Sequence, residues 1–335
     1  MKKKSRLIQY GHAINEAFHQ AMAADPSVVL IGQGVKSPWY VGNTATGLLQ
    51  RFGSSRVIDT PVSENAVTGA AVGAALAGLR TVVEHPRMDF MFYAFDPIIN
   101  EAANWRYMFG GRVSVPMVVW AIINRGGEQA AQHSQALHAM FAHVPGLKVV
   151  MPATPYDAKG LLVSAIRDDN PVIYIDDRWL HEETCHVPKA IYSVPIGKGV
   201  VRRAGKDVTI VAISCMVREA MRAADILLEQ GIDAEVIDPR TLAPLDLDLI
   251  VNSVRKTGRL LVADVGWLTG GVSGDIVSRV TELAFKNLKA PPVRLALPDC
   301  PAPMSAPLEK VYYPHANDII KAAKRLIIKS GESKT

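Results

Sequence analysis

The sequence lacks the cysteine pattern that defines a disulfide-rich or a zinc-binding protein. It contains three cysteines in 335 residues, Cys185, Cys215 and Cys300, and no two of them have the spacing of metal ligands. An odd number of widely separated cysteines does not build a disulfide framework. We therefore predict free thiols and a reducing, cytoplasmic location.

Long apolar runs are also absent. The best candidate, residues 67–79, consists mainly of Gly and Ala and is shorter than the roughly 20 residues that a membrane-spanning helix needs. The basic start of the chain is followed by residues 7–12, which are too few and too polar for the core of a signal peptide. We expect no membrane partner.

No charge of one sign dominates the sequence. The chain has 37 basic and 32 acidic residues, a net charge of +5. Basic residues cluster only between Lys2 and Arg6, and no zinc-finger or RNA-stacking signature accompanies them. A solvated tail explains this cluster better than a nucleic-acid-binding arm, so we expect no nucleic-acid partner.

The strong motifs of several enzyme classes are missing too. No Gly-x-Gly-x-x-Gly follows a predicted strand, and the chain has no Walker phosphate loop, His-Glu-x-x-His helix or Gly-x-Ser-x-Gly elbow. A dinucleotide-binding fold is therefore not supported.

The sequence does contain short apolar runs that alternate with helical patterns. This alternation predicts an α/β fold with two domains, each built on a parallel sheet. The predicted strands are residues 28–31, 57–59, 81–84, 117–123, 148–151, 172–175, 208–214, 234–237, 260–263 and 293–297. The predicted helices are residues 13–24, 64–78, 92–109, 134–144, 156–167, 217–230, 247–256, 274–287 and 317–328.

An irregular stretch separates the two series of elements. Residues 178–199 contain two prolines and two glycines near their end, which is typical of a linker. We assign residues 1–185 to the first domain, 186–198 to the linker and 199–335 to the second domain.

A carboxylate at the start of a helix is the first candidate functional group. Residues 59–64 (Asp-Thr-Pro-Val-Ser-Glu) run from a predicted strand into a helix, and ligands bind at the carboxyl ends of parallel strands. Ser63 suits the N-cap position, and a glutamate in the first turn is also ordinary complementation of the helix dipole. The residues alone leave Glu64 as either a catalytic or a capping residue.

The helix that follows Glu64 is rich in small residues. Residues 69–78 read Gly-Ala-Ala-Val-Gly-Ala-Ala-Leu-Ala-Gly. Because each Gly costs up to about 1 kcal/mol relative to Ala in a helix, we expect a packing reason for them. That reason is close packing either inside the domain or against another subunit.

Two loops at predicted strand ends complete the candidates. Residues 88–93 (Met-Asp-Phe-Met-Phe-Tyr) either stack on a flat heterocycle or belong to the core. A Gly pair at 126–127 precedes His133, which is typical of a mobile active-site loop. His138 and His143 are predicted to be packing or surface residues.

In this order, the segments resemble the beta subunit of the thiamine-diphosphate-dependent 2-oxo acid dehydrogenases, the decarboxylating component of pyruvate, branched-chain and acetoin dehydrogenase complexes. The matching stretches are 56–64 (RVIDTPVSE), 69–75 (GAAVGAA), 131–135 (AQHSQ), 143–150 (HVPGLKVV), 155–162 (PYDAKGLL), 165–171 (AIRDDNP), 236–246 (VIDPRTLAPLD) and 257–260 (TGRL). Each stretch is weak alone, but the ordered set spans nearly the whole chain.

The resemblance implies a pyrimidine-binding domain, a transketolase-type C-terminal domain and an α₂β₂ heterotetramer with thiamine diphosphate held between the α and β chains. It further implies a pyruvate-like 2-oxo acid substrate and a lipoyl acyltransferase partner. In the family, the α chain carries the Mg²⁺ and diphosphate motif, Gly-Asp-Gly followed by paired asparagines. This chain has no Gly-Asp-Gly, and its Gly274-Asp275 pair has no such continuation.

The resemblance also implies roles for individual residues. Glu64 matches the glutamate that hydrogen-bonds the aminopyrimidine and promotes its imino form, Phe90 matches the aromatic residue that stacks on this ring, and His133 matches the histidine near the substrate and the lipoyl group. A potassium site is implied at the backbone carbonyls of Met117, Ala165, Ile166, Asp168 and Asn170.

Several departures from the family pattern cluster where substrate or cofactor is expected. Residues 32–35 read Gly-Gln-Gly-Val where Gly-Glu-Asp-Val is usual, and the loop at 124–130 is less rich in Gly. Residues 85–87 read His-Pro-Arg where apolar or aromatic residues are usual. Arg87 or Arg125 therefore binds an extra carboxylate or phosphate, or makes a surface salt bridge.

Three functions remain open at this point. The first is decarboxylation of a 2-oxo acid with acyl transfer to a lipoyl arm, and the second is a diverged two-subunit carboligase that transfers an acyl or ketol unit without a lipoyl partner. The third is a non-catalytic subunit, which the presence of Glu64, Phe90 and His133 disfavours.

Overall fold

Strands and helices alternate along the chain in a computed structural model, which describes residues 6–127 and 129–329. The strands are β1 Leu7–Gln9, β2 Val28–Gln33, β3 Val57–Thr60, β4 Arg80–His85, β5 Met117–Ile123, β6 Lys148–Val150, β7 Val172–Asp177, β8 Thr184–His186, β9 Val200–Arg203, β10 Val208–Ala212, β11 Ala234–Asp238, β12 Thr241–Ala243, β13 Leu260–Trp267 and β14 Val293–Leu297.

The α-helices are α1 Tyr10–Ala24, α2 Pro38–Val41, α3 Leu48–Phe52, α4 Glu64–Leu76, α5 Ala103–Met108, α6 His138–Ala142, α7 Pro155–Arg167, α8 Met216–Glu229, α9 Leu247–Thr257, α10 Val272–Ala284, α11 Ala306–Tyr312 and α12 Ala316–Lys329. Short 3₁₀ segments and one π-helix, Asp96–Ala102, occur between them. Among the described helices, none has the length and apolar character needed to cross a bilayer.

By their internal contacts the residues form two units. The first comprises residues 6–125 and 140–196, and the second comprises residues 126–139 and 197–329, with Glu128 left undescribed. Residues 126–139 thus group with the second unit, although we assigned them to the first domain. A buried hydrogen bond explains this grouping, since the His138 ring contacts Asp264 at 2.9 Å.

Six strands of the first unit run parallel in the order β6-β7-β5-β4-β2-β3. Every residue of β5 is buried, as expected for a central strand covered on both faces. Helix α1 packs on α7 through an apolar face that includes Ile14 and Phe18. Gly160 of α7 leaves room for Val194, because a Cβ atom at Gly160 would lie 2.4 Å from the Val194 side chain.

The sheet of the second unit has the order β14-β13-β10-β11-β9. Strands β14, β13, β10 and β11 are parallel, and β9 is an antiparallel edge strand. Helix α8 ends as the sequence suggests, with Gly231 at a positive φ of 79° just beyond the C-cap residue Gln230.

The predicted α/β architecture is confirmed, and the differences are local. The helix predicted over residues 92–109 is instead a 3₁₀ segment, a π-helix and the short α5, with Pro97 inside this region. Residues 134–137 are irregular, so α6 is shorter than the predicted helix. The stretch interpreted as a linker contains β8, which pairs antiparallel with β1.

Candidate functional site

Four neighbouring strands of the first unit end at one edge of the sheet, and the candidate site residues follow them. Strands β7, β5, β4 and β2 are adjacent and parallel, so the loops that leave their carboxyl ends lie side by side. Arg178 follows β7, Asn124 and Arg125 follow β5, and the loop from Pro86 to Phe90 follows β4. This edge is where an α/β sheet binds its ligand.

Glu64 is the first residue of α4 and is partly exposed at this edge. Ser63 occupies the predicted N-cap position, but its side chain makes no capping hydrogen bond to the helix. A helix therefore begins here as predicted, but the Ser63 hydroxyl does not stabilise its first turn by a hydrogen bond. Whether Glu64 is a catalytic or a capping residue, the helix dipole stabilises its carboxylate in the first turn.

A small cavity adjoins Glu64. Its lining combines apolar and polar side chains from the ends of β2, β3 and β4 and from the first turns of α4, and consists of Gln33, Thr60, Pro61, Ser63, Glu64, Val67, Glu84, His85 and Pro86. Two of these residues, Thr60 and Glu84, have buried side-chain oxygens without a hydrogen-bond partner among the described residues. Unsatisfied buried polar atoms at a cavity wall are suited to a polar ligand.

Burial disfavours the charged forms of the two titratable groups buried at this cavity, Glu84 and His85. Glu84 is 2% exposed, and burial raises the pKa of its carboxyl well above the usual range, although the charges of Arg178 and Arg87 oppose the shift. Burial also lowers the pKa of His85 to about 4. The neutral His85 ring contacts the Thr68 hydroxyl at 3.1 Å.

The aromatic segment after β4, residues 88–93, contains both buried and exposed side chains. Met88 and Met91 are fully buried, whereas Phe90 is partly exposed and Tyr93 is 69% exposed. The backbone N–H of Phe90 donates to the carbonyl of Arg87 at 3.2 Å, which fixes the turn that presents the ring. The core interpretation therefore holds for Met88 and Met91, whereas stacking of Phe90 on a heterocycle stays a prediction.

His133 ends a short 3₁₀ segment, Ala131–His133, and is partly exposed. The loop before it contains three positive φ angles, at Gly126, Gly127 and Ala130. Glycine adopts such angles without strain, but Ala130 does not, and backbone strain of this kind is common near functional sites. Glu128 of this loop lies outside the described residues. His138 is buried, and His143 is exposed just after α6.

Several carbonyls of the implied potassium site already accept hydrogen bonds. Arg80 Nη1 donates to the carbonyl of Ile166 at 3.2 Å and to that of Asp168 at 3.0 Å, and the carbonyl of Ala165 accepts from Asp168 N–H at 3.2 Å. Each carbonyl oxygen retains a second lone pair. Met117 begins β5 and pairs in register with Thr81, the neighbour of Arg80.

The two arginines whose roles the sequence left open, Arg87 and Arg125, lie in different environments. Arg125 forms a buried ion pair with Asp177, and its guanidinium lies 4.9 Å from the ring centre of Trp179. The salt bridge expected for it exists, but it is buried rather than at the surface. Arg87 makes no salt bridge in the described part of the chain, and its buried Nε has no acceptor.

Family models agree with this two-unit α/β fold. The model described as "Transketolase, pyrimidine binding domain" matches residues 6–180, and "Transketolase, C-terminal domain" matches residues 197–319. A solved structure described as a split gene transketolase, inactive beta4 tetramer, has a TM-score of 0.77 at 24% identity, covering 96% of this chain and 99% of that one. The class is therefore the transketolase-like, thiamine-dependent proteins.

Individual relatives narrow this class. The chain is 45% identical over 93% of its length to the acetoin:2,6-dichlorophenolindophenol oxidoreductase subunit beta of Cupriavidus necator, and 41% identical over 96% of its length to that of Bacillus subtilis; these alignments cover 95% and 98% of the relatives. It is 43% identical to the pyruvate dehydrogenase E1 component subunit beta of Rickettsia felis, over 94% of this chain and 96% of that one. The chain belongs to the family of E1 beta subunits of thiamine-dependent pyruvate and acetoin dehydrogenases.

Sequence reasoning missed three charged residues that the structure emphasises: Arg80, Glu84 and Arg178. The sequence did contain a signal for Glu84. It is a carboxylate at the end of a predicted apolar strand, directly before His85-Pro86-Arg87. Arg80 and Arg178 gave no comparable signal, because the contacts that hold them include carbonyl and carboxylate groups far away in the sequence, such as Asp168 and Asp169 for Arg80 and Tyr40 for Arg178.

Proposed function

We propose that this chain is the beta subunit of an enzyme that decarboxylates a pyruvate-like 2-oxo acid with thiamine diphosphate and passes the acyl group to a lipoyl acceptor. The observation that carries the proposal is the position of Glu64, at the start of a helix and on the wall of a cavity at the carboxyl edge of the sheet. Family membership supports the same chemistry.

The residues of the cavity fit the aminopyrimidine end of the cofactor. A flat heterocycle with ring nitrogens and an amino group needs hydrogen-bonding partners within an otherwise apolar wall, and Thr60 and Glu84 have buried oxygens that still lack partners. The diphosphate and Mg²⁺ would be held by the alpha subunit, since this chain has no Gly-Asp-Gly motif.

When bound, thiamine diphosphate supplies a nucleophilic carbon that attacks the substrate carbonyl. Glu64 would exchange a proton with a nitrogen of the aminopyrimidine, Phe90 would stack against this ring, and His133 would orient the acid or move a proton near the substrate and the lipoyl group. Each role asks only for a side chain that is partly exposed, as these three are.

An alpha subunit is the proposed partner, in an α₂β₂ assembly. Helix α4 buries one face, and its opposite face, which includes Gly69, Ala70 and Gly73, is exposed. Large apolar side chains are exposed in the same unit, among them Tyr93 and Tyr107, the latter at 89%. Exposed apolar surface of this extent is typical of a subunit interface. A lipoyl acyltransferase would be the further partner.

A potassium ion would bind the carbonyls of Met117, Ala165, Ile166, Asp168 and Asn170. Carbonyl oxygens suit a hard monovalent cation, and the second lone pairs remain available. The Arg80 guanidinium brings a positive charge to two of these oxygens, which opposes the ion electrostatically. We therefore expect a site of modest affinity. None of the three cysteines, all of which the structure describes, forms a disulfide, and we propose a cytoplasmic location as predicted above.

The second candidate is a two-subunit enzyme that transfers an acyl or ketol unit to a different acceptor. Two observations support this second candidate. Two relatives are named for acetoin, and residues 32–35 and 85–87 depart from the usual family sequence.

Co-expression with an alpha subunit tests the proposal. The purified complex should reduce 2,6-dichlorophenolindophenol with pyruvate in a reaction that depends on thiamine diphosphate, and should acetylate a lipoyl domain. Turnover without lipoyl acetylation, but with carboligation to an added aldehyde, would favour the second candidate. A complex that contains bound cofactor but consumes neither 2-oxo acids nor acetoin would refute both.

A further inference from the structure

The segment that carries His133 changes from exposed to buried just after this residue. Residues 126–133, apart from the undescribed Glu128, are partly or fully exposed. The stretch that follows, residues 134–138, is buried at every position except Gln135. The first four residues of this buried stretch belong to no helix or strand, so the hydrogen bonds of regular structure do not hold them. The contacts of the buried stretch therefore help to fix the position of His133.

A hydrogen bond joins the buried stretch to strand β13. Nε2 of His138, the first residue of α6, lies 2.9 Å from Oδ1 of Asp264, and neither side chain has exposed surface. A carboxylate only accepts hydrogen bonds, which assigns the proton to Nε2. The other ring nitrogen of His138, Nδ1, is buried and has no hydrogen-bond partner among the described residues. Asp264 is therefore the polar contact that sets the orientation of this ring.

Asp264 is itself held in place by backbone groups. Its Oδ1 also accepts from the N–H of Gly266 at 3.1 Å, and its Oδ2 accepts from the N–H of Ser273 at 3.1 Å, in the first turn of α10. The carboxylate thus joins the end of β13 to the start of α10. Because its acceptor is fixed in this way, the hydrogen bond from His138 can hold an otherwise irregular segment.

Gly266 provides the space that the His138 ring occupies. A Cβ atom at Gly266 would lie 2.9 Å from Cε1 of His138, 3.4 Å from its Nε2 and 3.6 Å from the carbonyl oxygen of Ala136. The buried stretch therefore packs directly against the backbone of β13. Since packed interiors leave little free volume, a single methyl group at Gly266 would displace the ring.

We propose that His138 is a positioning residue for His133, because its hydrogen bond to Asp264 holds residues 134–138 against β13 and thereby fixes where His133 stands. The inference rests on the proposed function, in which His133 orients the acid or moves a proton. These tasks tolerate little displacement, since a shift of about 1 Å in an aligned group can reduce turnover roughly 10²-fold.

Substitutions of His138 that differ in reach test this role in the assembled enzyme. The amide nitrogen of Gln lies about as far along the side chain as Nε2 of histidine, whereas that of Asn does not extend so far. His138→Gln should therefore keep the hydrogen bond to Asp264 and retain most of kcat with pyruvate. His138→Asn and His138→Leu should each lower kcat roughly 10- to 100-fold while the complex keeps its bound thiamine diphosphate.

A double-variant cycle distinguishes positioning of His133 from a general effect on the fold. His133→Ala should lower kcat by about 10²- to 10⁴-fold, and adding His138→Leu should cause little further loss, because no side chain is left to position. Losses that multiply would show that His138 acts on another group and would overturn the inference. His315→Leu is the matched control, since His315 is an exposed histidine of the same unit, and it should leave kcat unchanged.

Amide hydrogen–deuterium exchange gives a measurement that needs no turnover. In the peptide that covers residues 129–138, exchange should be faster in His138→Leu and in Gly266→Ala than in the wild type, and His138→Gln should stay close to the wild type. Gly266→Ala keeps the histidine but displaces its ring, so it tests the inference even if His138→Leu does not assemble. Equal exchange in the wild type and in Gly266→Ala would overturn the inference.

The two measurements also separate this inference from the proposed function. A complex that oxidises no 2-oxo acid but shows the expected exchange pattern would refute the proposed function and retain the anchoring of the segment by His138. Normal oxidation of pyruvate by an assembled His138→Leu complex would overturn the inference and leave the proposed function intact.

Discussion

The two glutamates at the cavity differ in their access to water, and this difference separates their roles. Glu64 is partly exposed at a helix start, whereas Glu84 is 2% exposed within the sheet. A group that exchanges protons with a bound ring must pass them on to solvent or to a neighbour, which a partly exposed carboxylate can do. Burial raises the pKa of the Glu84 carboxyl and separates it from solvent, which suits a fixed hydrogen-bonding role better than repeated proton exchange.

Glu64→Gln tests the catalytic assignment directly. The amide keeps the size of the side chain but cannot exchange the proton, so hydrogen–deuterium exchange at the thiazolium carbon should slow by roughly 10²- to 10⁴-fold. The assembled complex should still bind cofactor and melt near the wild-type temperature. Unchanged exchange, with a loss of about 0.3–1 kcal/mol in stability, would instead identify Glu64 as a dipole-complementing residue only.

Asp264 provides a pH-dependent test in the second unit. Burial would raise the pKa of Asp264, but His138 and the N–H groups of Gly266 and Ser273 lower it below its usual value. A carboxyl with a depressed pKa in the folded state stabilises the fold above its unfolded pKa of about 3.9, and this contribution is lost as the pH falls through the folded pKa.

Asp264→Asn should therefore cost about 1–3 kcal/mol in urea unfolding at pH 7, and less as the pH approaches 3. Asp275→Asn is a suitable control, since the Asp275 side chain is 62% exposed and should shift stability little. A penalty for Asp264→Asn that does not vary with pH would show that the carboxylate charge is unimportant.

The sequence predicted the site best where a residue type and a strand end coincide. Glu64 and Phe90 stand beside recognisable strand ends, and family resemblance supplied their roles. Glu84 escaped prediction because its carboxyl oxygens are buried without a hydrogen-bond partner, and Arg178 because its contact with the Tyr40 carbonyl joins positions far apart in the sequence. Burial without a hydrogen-bond partner is a property of the packed structure, not of a local pattern.

At the scale of elements, central strands were predictable and irregular helices were not. The bounds of β5 and β14 agree with the sequence pattern. Strand β5 is a continuous apolar run that is buried throughout, as is typical of a central parallel strand. The helix predicted over residues 92–109 is divided into a 3₁₀ segment, a π-helix and α5, with Pro97 in the first turn of the π-helix. The three-residue strands β1 and β8 are too short to give a periodic signal, and they form by pairing with each other.

Helix α4 offers a test of the partner surface. A Cβ atom at Gly73 would meet nothing within 4 Å, so Gly73→Leu should leave the melting temperature of the isolated chain unchanged or higher. It should prevent co-purification with the alpha subunit, because the added side chain would block close approach of another backbone. Lys321→Leu adds a comparable exposed leucine on α12 and should not affect co-purification. Normal assembly of the Gly73 variant would remove this face from the interface.

The turn after α7 tests the potassium site. If K⁺ binds the carbonyls there, replacing tetramethylammonium with K⁺ at equal ionic strength should raise the melting temperature as K⁺ concentration rises. The effect should be small at millimolar K⁺, because Arg80 already occupies part of the site. Identical melting curves in the two salts would argue against an ion at this turn.

The whole molecule should be incomplete as a cofactor-binding protein. Polar side chains beside Glu64 suit the nitrogens of the aminopyrimidine, but the chain contains no Gly-Asp-Gly motif for the diphosphate and Mg²⁺. Calorimetry on the isolated full-length chain should therefore detect no micromolar binding of thiamine diphosphate, with or without Mg²⁺, whereas the complex with the alpha subunit should bind it. Tight Mg²⁺-dependent binding by the chain alone would contradict the shared-site proposal.

The exposed face of α4 affects how much of this protein accumulates in a cell. A copy released from the ribosome before its partner is available exposes a stripe of small residues together with Tyr93 and Tyr107. Surplus copies would then aggregate or be degraded, so the yield of enzyme would follow the scarcer of the two polypeptides. Translation of both chains from one message would keep their amounts equal and leave few orphan subunits for chaperones and proteases.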